Sequence, residues 1–169
     1  MNGRYENGAL PEKVRLLYEA VLAMVTDGWN INRMKVSDIT AQAGIGKGTA
    51  YEYFSSKEEI IANAVLYDVE MRLAHVLEIT KGEGDFAGKF VQILTYMEEV
   101  FAKRQAFCLL VRIGTGSYEV SESMRRECEK RQQALGCHLA DRIVESLMCQ
   151  GVSEGTICLL YTSPSPRDR

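Results

Sequence analysis

Residues 36–61 read VSDITAQAGIGKGTAYEYFSSKEEII, and the spacing of residue types in this stretch decides the fold. Ser37 stands as an N-cap ahead of a short helical run from Asp38 to Ala43. Gly44 supplies the left-handed geometry that ends such a helix and turns the chain. A second helix fits residues 47–54, and Ser55 and Ser56 break it. Ser56 then caps a third helix, whose first turn holds Glu58 and Glu59 where negative charge meets the positive end of the helix dipole. Two short helices joined by a tight glycine-containing turn make a helix-turn-helix. Val36, Ile39 and Ala43 of the first helix pack with Ile45, Ala50 and Phe54 of the second, which leaves Lys47, Gly48, Thr49, Tyr51, Glu52 and Tyr53 more exposed.

Upstream, Pro11 and Glu12 suit a first helical turn. Val14, Leu17, Tyr18, Val21, Met24 and Val25 recur at steps of three and four, one apolar face of a helix that Asp27 and Gly28 stop. This helix completes a three-helix core. Downstream, the pattern predicts a long helix over 57–79, a break at 81–84, a helix over 86–103, and a short buried apolar segment at 106–113. A turn follows at 114–117, then one long helix over 121–150, with Gly136 inside it as a kink or a close contact. No segment alternates with a period of two long enough for a sheet, so the chain reads as all-α.

The 169 residues are 46% hydrophobic and 25% charged, with a net charge of −3, an ordinary globular composition. Nothing approaches the ~20 apolar residues of a membrane span. MNGRYENGALPEKVR at the start has no signal-peptide core, so the expected location is cytoplasmic, with no membrane partner. Five cysteines without a CxxC pair read as free thiols. The adjacent Cys137 and His138 point apart on a helix and His75 is distant, so no metal site and no cofactor are expected. Residues 44–49, GIGKGT, do not make a phosphate loop, because that frame needs Gly at 41 and Ser or Thr at 48 where the chain has Ala41 and Gly48. With two histidines and no nucleophile-elbow pattern, the reading is not that of an enzyme.

The exposed residues of the second short helix suit a duplex. A recognition helix offers its N-terminal residues to base edges in the major groove. Lys47 reaches a guanine or a phosphate, Gly48 allows close backbone approach, and Thr49 donates to a phosphate or touches a thymine methyl. Tyr51 and Tyr53 place hydroxyls on phosphates, and Lys57 begins the next helix where its ammonium and nearby N–H groups clamp another. Glu52 either accepts from cytosine N4 or faces solvent. Between Arg33 and Lys57 four cations (Arg33, Lys35, Lys47, Lys57) stand against Asp38 and Glu52, a basic segment in an acidic protein. The competing reading is a helical protein-interaction module with no DNA role.

The run ITAQAGIGKGTAYEYFSSKEEII resembles the DNA-binding signature of the TetR/AcrR family, matching its spacing from Ile39 to Ile60 without a gap. Outside the signature, from about Val14 to about Gly155, the resemblance is one of helix number and length. By that resemblance Ser37, Lys47, Gly48, Thr49, Tyr51, Tyr53 and Lys57 fall on DNA-contacting positions. Three departures stand out: Thr40 in place of a usual Ala, Gly46 in place of Ser or Thr, and Ala50 in place of a larger apolar residue.

The resemblance implies a helix-turn-helix domain at 10–56 and a helical ligand-sensing and dimerisation domain at 57–157. It implies a homodimeric regulator, more often a repressor, on a palindromic operator in double-stranded DNA, released by a small-molecule effector. Tyr96, Met97, Phe101, Phe107, Cys108, Arg112 and Met148 are candidate pocket residues, and each serves equally as core. Arg112, a charge in an apolar run, needs a partner in Glu98, Glu99 or an anionic effector. Residues 158–169, CLLYTSPSPRDR, have no helical period and resemble translated sequencing-adapter read-through. On that reading the natural C-terminus is missing, an apolar face on the helix at 86–103 or 121–150 is left exposed, and dimerisation is impaired. The alternative for this segment is a disordered polar tail.

Overall fold

The computed structural model describes residues 10–103, 105–135 and 138–158; for 103, 105–107, 110, 114 and 132–135 it describes the backbone alone. These residues form helices, and no strand occurs among them. The order is α1 (Glu12–Thr26), α2 (Val36–Ala43), α3 (Lys47–Tyr53), α4 (Lys57–Lys81), α5 (Phe86–Lys103), α6 (Gln105–Gly114), α7 (Glu122–Leu135) and α8 (His138–Ser153).

Helix α1 buries the expected face: Val14, Leu17, Tyr18, Val21, Met24 and Val25 are all in the core. Burying an aliphatic side chain of this size contributes about 1.5–3 kcal/mol, so this one face outweighs any single cap or ion pair on the helix. Against it lie Ile39 of α2, Ala50 of α3 and Phe54 just beyond α3. Ile60, Ile61, Ala64 and Val65 of α4 join the same cluster, as do Leu109 and Ile113 of α6 and Met124 and Cys128 of α7. The apolar core therefore runs without interruption from the helix-turn-helix into the body of the molecule. A second cluster, centred on Val76, Leu77 and Ile143, joins α4, α5 and α8.

Helix α4 is the spine, packed by α1, α6, α7 and α8. Its start is well specified: the Ser56 hydroxyl accepts from the Glu59 N–H at 3.1 Å, while the Glu59 carboxylate accepts from the Ser55 N–H at 2.8 Å and from its hydroxyl at 2.7 Å. At the far end, Lys89 is buried and donates to the Thr80 carbonyl at 3.0 Å and to Gln150 Oε1 at 2.8 Å, tying α4, α5 and α8 together.

Two expectations need correction. Ser37 is not the N-cap of α2: the helix starts earlier, at Val36, and the Asp38 carboxylate accepts the Lys35 N–H at 3.0 Å. The carboxylate is a stronger acceptor than a hydroxyl and reaches back three residues, so it sets the boundary. The helix expected over 121–150 is described as α7 up to Leu135 and as α8 from His138; residues 136 and 137, where the kink or close contact at Gly136 is expected, lie outside the described residues. Helix α7 adds Met124 and Cys128 to the first cluster and α8 adds Ile143 to the second. Helix α6 is amphipathic rather than wholly buried, with Leu109 and Ile113 inside and Val111 exposed. On α5, Phe90, Val91 and Leu94 lie exposed, as does Val144 on α8.

Candidate nucleic-acid interface

The turn between α2 and α3 is built by backbone geometry. Gly44 has φ 68°, its N–H donates to the Ala41 carbonyl, and the Ile45 N–H donates to the Thr40 carbonyl at 3.0 Å. A side chain at position 44 would have room but would be strained in this left-handed conformation. Thr40, the β-branched departure, is accommodated: it is buried, and its hydroxyl donates to the Ser37 carbonyl at 3.3 Å. Helix α3 begins at Gly46 with no side-chain cap, so the missing hydroxyl is not replaced locally.

Helix α3 is held by a narrow inner face. Ala50 is fully buried, and the Phe54 ring rests 6.0 Å from that of Tyr18. Everything else is turned outward: Lys47, Gly48, Glu52, Tyr51 and Tyr53 are exposed, and Thr49 is half-buried. The small Ala50 brings α3 close to α1 without needing a large anchor, and Phe54 fills the space at its end. Lys47 Nζ lies 5.9 Å from the centre of the Tyr51 ring, one turn further on.

Ser37, Lys47, Tyr51 and Lys57 converge on one open concavity of about 540 Å³. Its walls also include Arg33 and Lys35, so four cations and no carboxylate line it. Gly48, Thr49 and Tyr53 lie on α3 outside this concavity. Lys57 also acts as a brace, because its ammonium donates to the carbonyls of Asn32 at 2.9 Å and Met34 at 3.2 Å. These bonds hold the α1–α2 connector that carries Arg33 and Lys35. Neither of those two residues is among the contacts expected from the sequence, although the basic balance of residues 33–57 marks them.

The residues suggested for a small-molecule pocket do not come together. Tyr96 lines a concavity of about 490 Å³ between α1, α4 and α5. Cys108 and Arg112 line a different one of about 240 Å³ beside Trp29, Asn30 and Tyr118. Met97 packs on the second apolar cluster, Phe101 is exposed, Met148 is half-buried, and the Phe107 side chain lies outside the described residues. The Arg112 guanidinium sits 5.3 Å over the Tyr118 ring. Sequence reasoning missed Asp68, Arg72 and His75, which share the concavity of Tyr96; the Asp68–Arg72 spacing of one helical turn is the signal that could have found them.

Comparison with known proteins agrees with this geometry. Residues 30–64 match the family model described as bacterial regulatory proteins, tetR family. That span contains α2, the turn, α3, the start of α4 and all the residues that line the basic concavity. The chain is also similar to an uncharacterized HTH-type transcriptional regulator, YuxN, of Bacillus subtilis (strain 168), with 25% identity over 132 residues. The match covers 77% of this chain and 44% of that relative, so the chain spans less than half the length of the curated protein it resembles.

Proposed function

We propose that this chain, whose residues 30–64 match the tetR family model, is a sequence-specific DNA-binding repressor, released from its operator by a small molecule. The observation that carries the DNA reading is the concavity beside α3, whose lining includes Arg33, Lys35, Lys47 and Lys57 and no carboxylate; Lys57 lies 3.8 Å from Glu58 outside it. Four clustered cations next to an exposed helix form an anion-attracting surface in a protein of net charge −3. In this reading the start of α3 enters the major groove, with Lys47 on a phosphate at its rim and Gly48 and Thr49 at the base edges. Tyr51, Tyr53, Ser37, Lys35 and Arg33 fix the register on the phosphates, and Lys57 holds the connector that carries the last two.

Two subunits place their recognition helices about 34–36 Å apart, on successive turns of the groove, which makes a palindrome the matching operator. An effector that binds better to a different spacing shifts the population off DNA. Helix α4, which contributes to both apolar clusters, supports such coupling, because a shift of α4 moves both. Selection from random duplex DNA, read by gel shift, tests the proposal. Enrichment of a palindrome, and lower output from a promoter overlapping it when the chain is present, are the results expected. Failure to enrich any sequence with folded protein would remove the DNA reading. Higher output would reverse the sign to activation.

A further inference from the structure

Four buried side-chain polar atoms find no hydrogen-bond partner among the described residues, and three of them line a single concavity. They are Asp68 Oδ2, Arg72 Nε and the Tyr96 hydroxyl. Leaving such a group unpaired is costly, so three at one place call for a partner that the described residues do not supply. The concavity, about 490 Å³, opens at the seam where α1 meets α4 and α5.

The chemistry of the missing partner follows from what is already paired. Asp68 is 4% exposed, and its other oxygen accepts from Arg72 at 2.9 Å. Glu19, at the rim, is held by Arg15 at 2.6 Å. The charges therefore cancel locally, and a charged ligand would have no counter-ion. What remains is one carboxylate oxygen seeking a donor, one guanidinium N–H seeking an acceptor, and a hydroxyl able to do either. Around them stand flat surfaces: the His75 and Tyr96 rings lie 4.5 Å apart, with Tyr67 and Leu22 completing the wall. Burial pulls the Arg72 pKa down, but the Tyr96 oxygen, close to the guanidinium though outside hydrogen-bond geometry, and Asp68 outweigh it. Together they hold the guanidinium above its ordinary value, so the ion pair stays charged.

We propose that this seam binds a small, neutral, planar heterocycle presenting an N–H donor beside a carbonyl acceptor, the edge of a lactam. The N–H donates to Asp68 Oδ2, the carbonyl accepts from Arg72 Nε and from the Tyr96 hydroxyl, and the ring lies among Tyr67, His75 and Tyr96. Tyr67 also lies 5.5 Å from Tyr18, which lies 6.0 Å from Phe54 at the end of α3. A ligand here touches an aromatic series that ends at the recognition helix. That consequence rests on the repressor reading above; the binding itself does not.

The test uses 2-pyridone as a minimal lactam and N-methyl-2-pyridone as its donor-blocked form. The full chain has two histidines, His75 in the seam and His138 at the start of α8. The proton resonances of the imidazoles report binding at His75, with His138 as internal reference. The expected result is a saturable shift of His75 alone. Binding should weaken about tenfold for the N-methyl compound, and about tenfold in Tyr96→Phe, the equivalent of one well-made hydrogen bond. No saturable shift, equal shifts at both histidines, equal affinity for the N-methyl compound, an unchanged Tyr96→Phe, or tighter binding of benzoate or benzylamine would each overturn the proposal. The titration needs no DNA. A His75 shift in a chain that selects no duplex would therefore count against the DNA reading alone, and the converse against this site alone.

Discussion

Replacing Lys47 by alanine separates the recognition surface from the fold. Lys47 is exposed at the first position of α3, with the Tyr51 ring 5.9 Å from its ammonium. Alanine is at least as good a helix former, and surface changes of this kind alter stability by less than about 0.5 kcal/mol. On DNA the loss is larger. Each neutralised phosphate contributes about −0.9 to the slope of log K against log salt. Between 1 M and 0.15 M salt that slope is worth about fivefold, or about 1 kcal/mol, per subunit. A dimer on a palindrome doubles it, to about 30-fold and a slope change of about 1.8. Fluorescence anisotropy on a selected duplex, from 50 to 300 mM salt, measures both quantities, and thermal melting followed by circular dichroism measures the fold. An unchanged salt slope would refute the placement of Lys47 at a phosphate. A lost helical signal would refute the assignment of α3 as an exposed recognition helix.

Lys57→Met should behave differently, losing DNA affinity and also about 1–2 kcal/mol of stability in urea, because the carbonyls of Asn32 and Met34 lose a charged donor. Phe54→Ala should destabilise by about 3–5 kcal/mol, since the ring is buried against Tyr18; a drop in melting temperature matching a surface change would show that the core beneath α3 is misdescribed. Ser56→Ala should cost about 0.5–2 kcal/mol through the lost α4 cap, measurable by the same urea titration. Cys128 should resist thiol reagents while the exposed Cys149 and Cys158 react, because burial first, and then Glu127 and Glu129, push its pKa up. Since the folded thiol ionises later than the unfolded one, its contribution to stability is intact below pH about 8.5 and is lost as pH rises beyond it. Melting temperatures of wild type and Cys128→Ala across pH 7–10 should converge or cross accordingly.

The elements legible from the sequence are those set by local chemistry. Gly44 needs a left-handed backbone, Ser56 caps with its own hydroxyl, and the α1 face is a repeat of three and four. The start of α2 is misplaced by sequence reasoning because two neighbouring residues can cap, and only the observed bond shows that Asp38 reaches Lys35. Residues 121–150 carry a helical period on either side of 136 and 137, and which apolar cluster each side joins is decided by what packs on α4. The same distinction holds at the interface. Lys47 and Tyr51 are readable as exposed polar residues on a short helix. The bracing of the connector by Lys57 joins positions 25 and 23 residues apart, which no local pattern encodes. Tyr96 is readable as a pocket candidate, but its meeting with Asp68, Arg72 and His75 depends on how α5 docks on α4.

Amide chemical-shift mapping of the full chain with a selected duplex addresses the DNA interface most directly. Shifts concentrated in residues 33–57, and abolished together by Lys47→Ala and Tyr51→Phe, are the result predicted. Saturable DNA binding whose shifts fall on α5 to α8, with α3 unmoved, would contradict it.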